Sequence, residues 1–278
     1  MNQQPPHSWL QVGELTAGFG GNELTPSQAL AGRRLQANLE EGSRFELVFR
    51  PDEQLEINIL ADGPAARSVG KRVVAYRATS LRENVLFVDS VLPDQPPRSL
   101  TWILDLNSGW GTAVLGRLPL RAETEESIYA RASSGKELTT VAVDLLPLRL
   151  GDQDTKKPGK HAPTTELIGR RIRYVYGPRD VYEHIYLNER FYTWQCLKGP
   201  EIGLADTDRC HYIKIAGDLY LFIWREKIVP TLGMVLIDIA AARSTGKIFG
   251  YHGGDFGEIT NASVGASAQL MNVTPGYP

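Results

Sequence analysis

Cysteine is scarce in this sequence, which contains only Cys196 and Cys210 among 278 residues. Two cysteines are too few for a disulfide scaffold, and they lack the second pair that a zinc site would need. The opening residues, MNQQPPHSWLQVG, have neither the basic stretch nor the apolar core of a secretory signal. A continuous apolar run of about 18 residues is missing too, so no membrane span is predicted. We therefore expect a reduced, cytoplasmic compartment and no association with membranes.

A concentration of charge of one sign is missing as well. The net charge is −2, and the 30 lysine and arginine residues are spread along the chain. Proteins that bind nucleic acids or anionic membranes depend on clustered basic residues, so neither partner is expected. Apolar residues make up 42% of the sequence, which is enough to build hydrophobic cores. A chain of this length suits two domains.

The sequence contains an internal repeat. Leu30–Leu35 recurs 137 positions later as Leu167–Ile172. At the same offset, Phe45–Phe49 corresponds to Tyr182–Tyr186. Two further matches follow in the same order, and they are Ile103–Leu106 with Leu236–Ile239 and Thr112–Gly116 with Gly246–Gly250. Four ordered matches favour duplication of one domain, although any two meanders of alternating residues would also resemble each other.

A polar, charged stretch separates the two copies. Residues 151–163 contain glycine, proline and several lysines, which is typical of an exposed interdomain linker. The predicted organisation is therefore an N-terminal domain at 1–150, a linker at 151–163 and a C-terminal domain at 164–278.

Short runs rich in valine, isoleucine and aromatic residues alternate with turn residues in both halves. In the second half the predicted strands are Arg173–Tyr176, Val181–Leu187, Phe191–Leu197, Arg209–Ala216, Leu219–Glu226, Thr231–Asp238 and Gly246–Tyr251. Their close spacing predicts an all-β protein, and closing each antiparallel sheet into a β-barrel removes its exposed edges. Short helices are expected only at Ser27–Leu35 and Glu123–Arg131. A barrel of about eight strands has room for one small ligand, so we expect a small-molecule pocket.

Alternation along the strands indicates which side chains of the second half share a face. Tyr174 pairs with Tyr176 in this way, and on the third strand Gln195 lies on the face opposite Trp194. The candidates for a polar ligand site are Tyr174, Tyr176, Tyr182, His184, Tyr186, Gln195, Trp224 and Glu226. Tyrosine and histidine combine a ring that packs with a group that hydrogen-bonds, which suits an aromatic or carboxylate ligand. Tyrosine is also an ordinary strand former, so a purely structural role stays open.

Glu226 is the candidate for acid–base chemistry. A carboxyl group inside a barrel among aromatic rings would have a raised pKa, which suits a general acid or base near neutral pH. Alternatively, Glu226 stands between Arg225 and Lys227 and is a solvated charge at the end of a strand. His184 and His211 have no third ligand nearby in the sequence, so neither a metal site nor a cofactor is predicted.

Over both halves the chain resembles the MoaF family, named as molybdenum cofactor biosynthesis protein F. The resemblance is strongest in Glu166–Tyr251 and in the glycine-rich stretch Tyr251–Asn261. It implies two tandem lipocalin-like (calycin) barrels, which agrees with the strand pattern. The family's name implies neither a reaction nor a cofactor.

The second half is similar, more distantly, to the phenolic acid decarboxylases, which are single-barrel enzymes that need no cofactor. In that family two tyrosines on the first strand bind the substrate carboxylate, and an arginine and a glutamate assist proton transfer. The resemblance gives the tyrosine roles to Tyr174 and Tyr176 and the glutamate's role to Glu226. Gln195 stands where the arginine would be, which weakens the case for the same decarboxylation.

These observations lead to alternative hypotheses of function. The first is a cofactor-independent lyase or isomerase acting on a small aromatic or unsaturated compound. Tyr174 and Tyr176 would orient an oxyanion or carboxylate, Glu226 would move the proton, and Gln195 and His184 would make secondary contacts. The second is a non-catalytic lipocalin-like carrier of a small molecule such as a pterin. A structural partner in a multienzyme complex is a third, and a homo-oligomer stays open.

Overall fold

The computed structural model describes residues 9–151 and 159–274, so residues 152–158 of the predicted linker lie outside the described part of the chain. The protein is all-β and consists of two antiparallel β-barrels in tandem, as predicted. Three short α-helices are present among the described residues, and they are α1 (Val12–Leu15), α2 (Pro64–Val69) and α3 (Ile128–Ser133). None of the helices in the described residues is both long enough and apolar enough to span a bilayer.

The first barrel is a meander of nine strands. They are β1 (Arg34–Leu39), β2 (Arg44–Phe49), β3 (Gln54–Ala61), β4 (Arg72–Ala75), β5 (Arg77–Arg82), β6 (Val85–Leu92), β7 (Arg98–Asp105), β8 (Trp110–Arg117) and β9 (Ala142–Leu150). Consecutive strands are hydrogen-bonded except β4 with β5, and β9 returns to pair with β1. Alternation along β2 turns Phe45, Leu47 and Phe49 into the interior, where all three are fully buried. Leucine, isoleucine, valine and phenylalanine fill most of this interior.

The second barrel is a closed ring of eight strands. Its elements are β10 (Ala162–Pro163), β11 (Arg170–Gly177), β12 (Asp180–Tyr186), β13 (Phe191–Lys198), β14 (Ala205–Ala216), β15 (Leu219–Arg225), β16 (Thr231–Asp238), β17 (Arg243–Tyr251) and β18 (Ile259–Val273). The ring runs from β11 to β18 and closes because β18 pairs with β11. The two-residue β10 adds to the sheet beside β14.

The two barrels differ mainly where one strand of the first is broken. In the second barrel β14 pairs with β13 through its first half and with β15 through its second half. In the first barrel the corresponding strand is interrupted at Tyr76, so that β4 pairs with β3 and β5 pairs with β6. The break leaves the first barrel nearly closed. The remaining strands follow one another in the same order in both barrels, as expected for a duplicated domain.

The described residues form two compact units whose boundaries differ from the predicted domains. One unit is the first barrel, with Thr25–Arg117 and Val143–Ala162. The other combines the second barrel with residues 9–24 and Leu118–Ala142. The reason is that both of these segments contact the second barrel. In the latter segment, Glu137 accepts hydrogen bonds from Arg225 at 2.8 Å and from Arg209 at 2.6 Å.

Two local predictions need correction. Ser27–Leu35 is not a helix, because turns at residues 29–32 lead directly into β1. Glu123–Arg131 is shared between the short 3-10 helix Arg121–Thr124 and α3, whose start is capped by Ser127. The strand pattern also misses β18, and the glycine-rich stretch before it forms the loop between β17 and β18.

Candidate functional site

Much of the interior of the second barrel is lined by aromatic rings. The inward positions of β11, β12 and β13 include Tyr174, Tyr176, Tyr182, His184, Tyr186, Tyr192, Trp194 and Cys196, together with the aliphatic Ile172. Each strand contributes every second residue, because side chains alternate between the two faces of a strand. Phe222 and Trp224 of β15 complete the cluster, with their rings stacked at 5.4 Å. The first barrel has no comparable set of polar aromatic residues among its described core positions.

The N-terminal segment, defined here as described residues 9–24, packs into this aromatic interior. Phe19 stacks on Tyr176, with ring centroids 4.4 Å apart and an angle of 9° between the planes. The same ring meets Tyr182 edge-on at 5.6 Å, and Trp9 meets Trp194 edge-on at 5.5 Å. The N-terminal segment therefore supplies aromatic contacts that the barrel strands alone do not provide.

Two glycines of the barrel allow the N-terminal segment to approach so closely. A Cβ atom at Gly250 would lie 2.3 Å from the side chain of Val12, and one at Gly265 would lie 2.3 Å from the carbonyl oxygen of Asn22. Any larger residue at either position would push the segment away from β17 or β18. The segment is also held by a hydrogen bond from Asn22 Nδ2 to the carbonyl oxygen of Val175, at 2.9 Å.

A small cavity remains between the N-terminal segment and the barrel wall. Its lining residues are Leu15, Phe19, Tyr176, Tyr182, His184, Tyr192, Trp194, Glu201, Trp224, Glu226 and Ile248. The cavity volume is about 30 Å³, whereas roughly 150 Å³ is the size of an apolar cavity known to take up benzene. With Phe19 in place, the cavity has room for water-sized molecules only.

Glu226 directly follows β15 and lines the cavity. Its Oε1 atom accepts a hydrogen bond of 2.9 Å from the indole nitrogen of Trp224. Its backbone carbonyl accepts a hydrogen bond of 2.8 Å from the hydroxyl of Thr139. Burial raises the pKa of Glu226 well above its ordinary value, and the nearby carboxylate of Asp208 raises this pKa further. The side chain is therefore protonated at a pH where an exposed glutamate is ionised.

Two more carboxyl groups lie at the same end of the barrel, and the sequence analysis does not identify them. Glu201 lines the cavity and accepts a hydrogen bond of 3.1 Å from the hydroxyl of Tyr182. Asp208 accepts one of 3.1 Å from the indole nitrogen of Trp194. Burial is the main reason that the pKa of Glu201 is raised and that the pKa of Asp208 is raised to about 6. Asp208 is also held by Lys227, whose ammonium group bonds both Asp206 and Asp208.

His184 lies at the centre of the aromatic cluster. It is only 4% exposed, and its ring packs 4.6 Å from that of Tyr174 and 5.1 Å from that of Tyr192. Its Nδ1 atom is buried without a hydrogen-bond partner. Burial lowers the pKa of His184 to about 3, so the imidazole is neutral at physiological pH.

The remaining sequence candidates fall into two groups. Tyr174 and Tyr186 are fully buried but do not line the cavity, and their hydroxyl groups bond each other at 2.6 Å. Gln195 lies on the outer face of β13, because it alternates with the inward-facing Trp194. There its amide nitrogen donates a hydrogen bond of 2.6 Å to Glu183. The structure thus places Tyr176, Tyr182, His184, Trp224 and Glu226 around the cavity and leaves out Tyr174, Tyr186 and Gln195.

Glu201 and Phe19, which are not predicted as site residues, have only weak signals in the sequence. Glu201 follows the Lys198-Gly199-Pro200 turn and resembles an ordinary loop residue. Phe19 belongs to an apolar series with Trp9, Val12 and Leu15, whose spacing of three to four residues indicates one buried face. That spacing predicts burial but does not identify the partner. Among residues 9–151 and 159–274, no group of three or more histidine, cysteine, aspartate or glutamate side chains is arranged to hold a metal ion.

Comparison with known proteins identifies the family. The profile of the MoaF N-terminal domain matches residues 7–120, and that of the MoaF C-terminal domain matches residues 161–274. The chain is 42% identical to Protein MoaF of Klebsiella aerogenes over 271 residues, covering 96% of each protein. A crystal structure from Burkholderia vietnamiensis, provisionally assigned as a β-lactamase, is similar to 39% of this chain and 99% of its own, with a TM-score of 0.34 and 15% identity. On the two profiles and the curated relative, this chain belongs to the MoaF family.

Proposed function

We propose that the second barrel binds a flat aromatic compound in the place that Phe19 occupies. The observation that carries this proposal is the stacking of Phe19 on Tyr176, with Tyr182 edge-on to the same ring. Offset stacking and edge contacts of this kind contribute to the binding of any flat ring, not only of a phenylalanine side chain. The family's name links it to molybdenum cofactor biosynthesis, and a pterin is one flat compound that would suit such a site.

Binding requires the N-terminal segment to move, because the cavity of about 30 Å³ cannot hold a ring beside Phe19. Polar bonds that hold the segment to the barrel include those of Asn22 with Val175 and Arg243, and a long one of 3.4 Å from the backbone nitrogen of Leu10 to Glu201. Apolar burial of Val12, Leu15 and Phe19 adds to them. A ligand that replaces the Phe19 ring would bury its own apolar surface in the same place. This burial would offset much of what is lost when Phe19 leaves.

The test compares full-length wild-type protein with a Phe19→Ala variant. The probe is N-phenyl-1-naphthylamine, a neutral dye whose fluorescence rises in an apolar site. We expect the variant to bind the dye about tenfold more tightly, because the ligand no longer competes with the ring. Phe256→Ala is the matched control, since Phe256 lies on the loop between β17 and β18, away from the cavity. Equal dye binding by the wild type and both variants would contradict the proposal.

A proton-transfer reaction on the bound compound is the second candidate function. It is favoured by Glu226, which lines the cavity and has a raised pKa. The protonated carboxyl group would give its proton to one atom of an unsaturated compound and recover a proton from another atom. That sequence is an isomerisation and needs no co-reactant. Tyr176 would orient the ligand through its hydroxyl group.

Turnover and binding are separated by incubating a bound compound with wild-type protein and with Glu226→Gln. Mass spectrometry and proton NMR would follow the compound over time. Conversion by the wild type together with loss of conversion in the variant, at unchanged affinity, would support catalysis. A compound that binds both proteins and is recovered unchanged would support a carrier.

A further inference from the structure

We propose that the cavity selects flat compounds with N–H donors on one edge, neutral or cationic, and excludes aromatic carboxylates. This inference rests on the proposed function, because it specifies which ring compounds the second barrel takes. It comes from the chemistry of the cavity wall, from the group that occupies the site, and from a buried imidazole that lacks a partner.

The polar part of the cavity wall is acidic. Glu201 and Glu226 both line it, and no lysine or arginine among the described residues does so. Lys227, the cation next in the chain to Glu226, is bonded to Asp206 and Asp208. A carboxylate ligand would lose its hydration on entry and meet carboxyl groups without a balancing cation. An amidine or aminopyrimidine edge would instead donate hydrogen bonds to these carboxyl oxygens.

The N-terminal segment itself presents this combination of groups. Phe19 contributes a flat ring against Tyr176, and Leu10 donates its backbone N–H to Glu201 Oε1 at 3.4 Å. The present occupant of the site is therefore a ring together with an N–H donor. The long distance from Leu10 to Glu201 leaves room for a better donor in its place.

His184 is an independent indication of a polar ligand. The side chain is 4% exposed and lines the cavity, yet its Nδ1 atom has no hydrogen-bond partner. Buried polar atoms are nearly always paired, and a bound ligand or an ordered water is what would pair this one. A neutral imidazole nitrogen pairs with either a ring nitrogen or an N–H group, depending on its tautomer. A nitrogen-containing heterocycle supplies both.

The test uses three probes of the same size and shape, namely benzamidine, benzamide and benzoate. They differ only in a cationic, neutral or anionic group on one ring. Titration calorimetry is done on the full-length Phe19→Ala variant, in which the ring position is open. We expect benzamidine to bind about tenfold more tightly than benzamide, and benzoate to bind most weakly.

Variants then assign the preference to the cavity. Glu226→Gln and Glu201→Gln, made separately in the same background, should each reduce the advantage of benzamidine over benzamide several-fold. Glu189→Gln is the matched control, because Glu189 lies on the exposed turn between β12 and β13. It should leave all three affinities unchanged.

The outcomes distinguish this inference from the proposed function. Tight binding of benzoate, or equal binding of all three probes, would overturn the inference and leave an aromatic site. An advantage of benzamidine that survives both cavity variants would overturn it too. If neither these probes nor N-phenyl-1-naphthylamine binds the Phe19→Ala variant, the proposed function itself is contradicted, and the inference with it. Benzamidine preference that is lost in either cavity variant, with the Glu189→Gln control unchanged, supports the inference.

Discussion

The ring of Phe19 lies parallel to that of Tyr176, with the centroids 4.4 Å apart. The two residues are 157 positions apart in the sequence, so the contact joins the N-terminal segment to the first strand of the second barrel. Phe19 is 3% exposed and Tyr176 is also 3% exposed, so the stacked pair is screened from solvent. The N-terminal segment thus contributes a buried ring to the aromatic interior of the second barrel.

Removing the Phe19 ring should destabilise the second barrel. We expect Phe19→Ala to lower the free energy of unfolding by about 3 kcal/mol, because the ring is buried and its loss leaves a cavity. Urea denaturation followed by tryptophan fluorescence would measure the change. Phe19→Leu keeps much of the apolar volume and should lose less than half as much. Equal losses in the two variants would mean that the ring is not packed as described.

The amphipathic strand pattern is sufficient to predict the fold of the second barrel. The predicted strand Thr231–Asp238 coincides with β16, and the strands at Val181–Leu187 and Phe191–Leu197 overlap β12 and β13 almost completely. Strand positions follow from local alternation, which a single sequence displays. β18 is not predicted because its residues Asn261–Gln269 are mostly small. Small residues do not alternate clearly between apolar and polar side chains.

The candidate site is only partly predictable, since it depends on long-range contacts. Tyr176 lies on β11 and Glu226 directly follows β15, so both are near strand positions that alternation identifies. Glu201 reaches the site from a loop, and Phe19 reaches it from a segment that is distant in sequence. Neither contact can be predicted from a local sequence pattern. Gln195 is a different case. Alternation puts it on the face opposite Trp194, where it donates a hydrogen bond to Glu183.

Glu226 should make the stability of the protein depend on pH. Its pKa is raised in the folded state, so the fold favours the protonated form. The stability that this preference contributes is fully present below the ordinary pKa of about 4.5 and is lost as pH rises through the folded pKa. Glu226→Gln stays neutral and keeps an acceptor for Trp224. We expect the variant to be more stable than the wild type at pH 8, by about 1 kcal/mol or more, and nearly equal to it at pH 4.

Melting temperatures of the two proteins, measured from pH 4 to pH 8, would check this prediction. The difference between them should grow steadily with pH. Glu189→Gln is again the control, because it removes an exposed carboxylate and should follow the wild type at every pH. A Glu226→Gln variant that loses stability at pH 8 would show that the ionised carboxylate is the favoured form.

Asp208 should titrate visibly near pH 6. Burial and the neighbouring Asp206 raise its pKa and Lys227 lowers it, and the net result is a pKa of about 6. Trp194 donates its indole N–H to this carboxylate, so protonation below pH 6 weakens that hydrogen bond. We expect a step in tryptophan fluorescence centred near pH 6. Asp208→Asn should abolish the step while leaving the fold intact.

Asp208 in turn raises the pKa of Glu226, so a second carboxyl group titrates nearby and the step needs to be assigned. Trp194→Phe removes the reporting indole and should remove most of the fluorescence change, although four other tryptophans remain. Glu226→Gln should leave the midpoint near pH 6, because Asp208 raises the pKa of Glu226, which is still protonated when Asp208 ionises. A step that survives in both Asp208→Asn and Trp194→Phe would have to arise elsewhere.

Gln195 should have no role in ligand binding. Its amide donates a hydrogen bond of 2.6 Å to Glu183 on the outer face of the barrel, where Arg171 also pairs with Glu183. Gln195→Ala should therefore cost about 1 kcal/mol of stability, because Glu183 loses one of its donors and keeps the other. In the Phe19→Ala background, the affinity for N-phenyl-1-naphthylamine should be unchanged, whereas Tyr176→Leu should weaken it about tenfold through loss of the stacking partner. Weaker dye binding in Gln195→Ala than in Tyr176→Leu would place the ligand on the outer face of β13 and not inside the barrel.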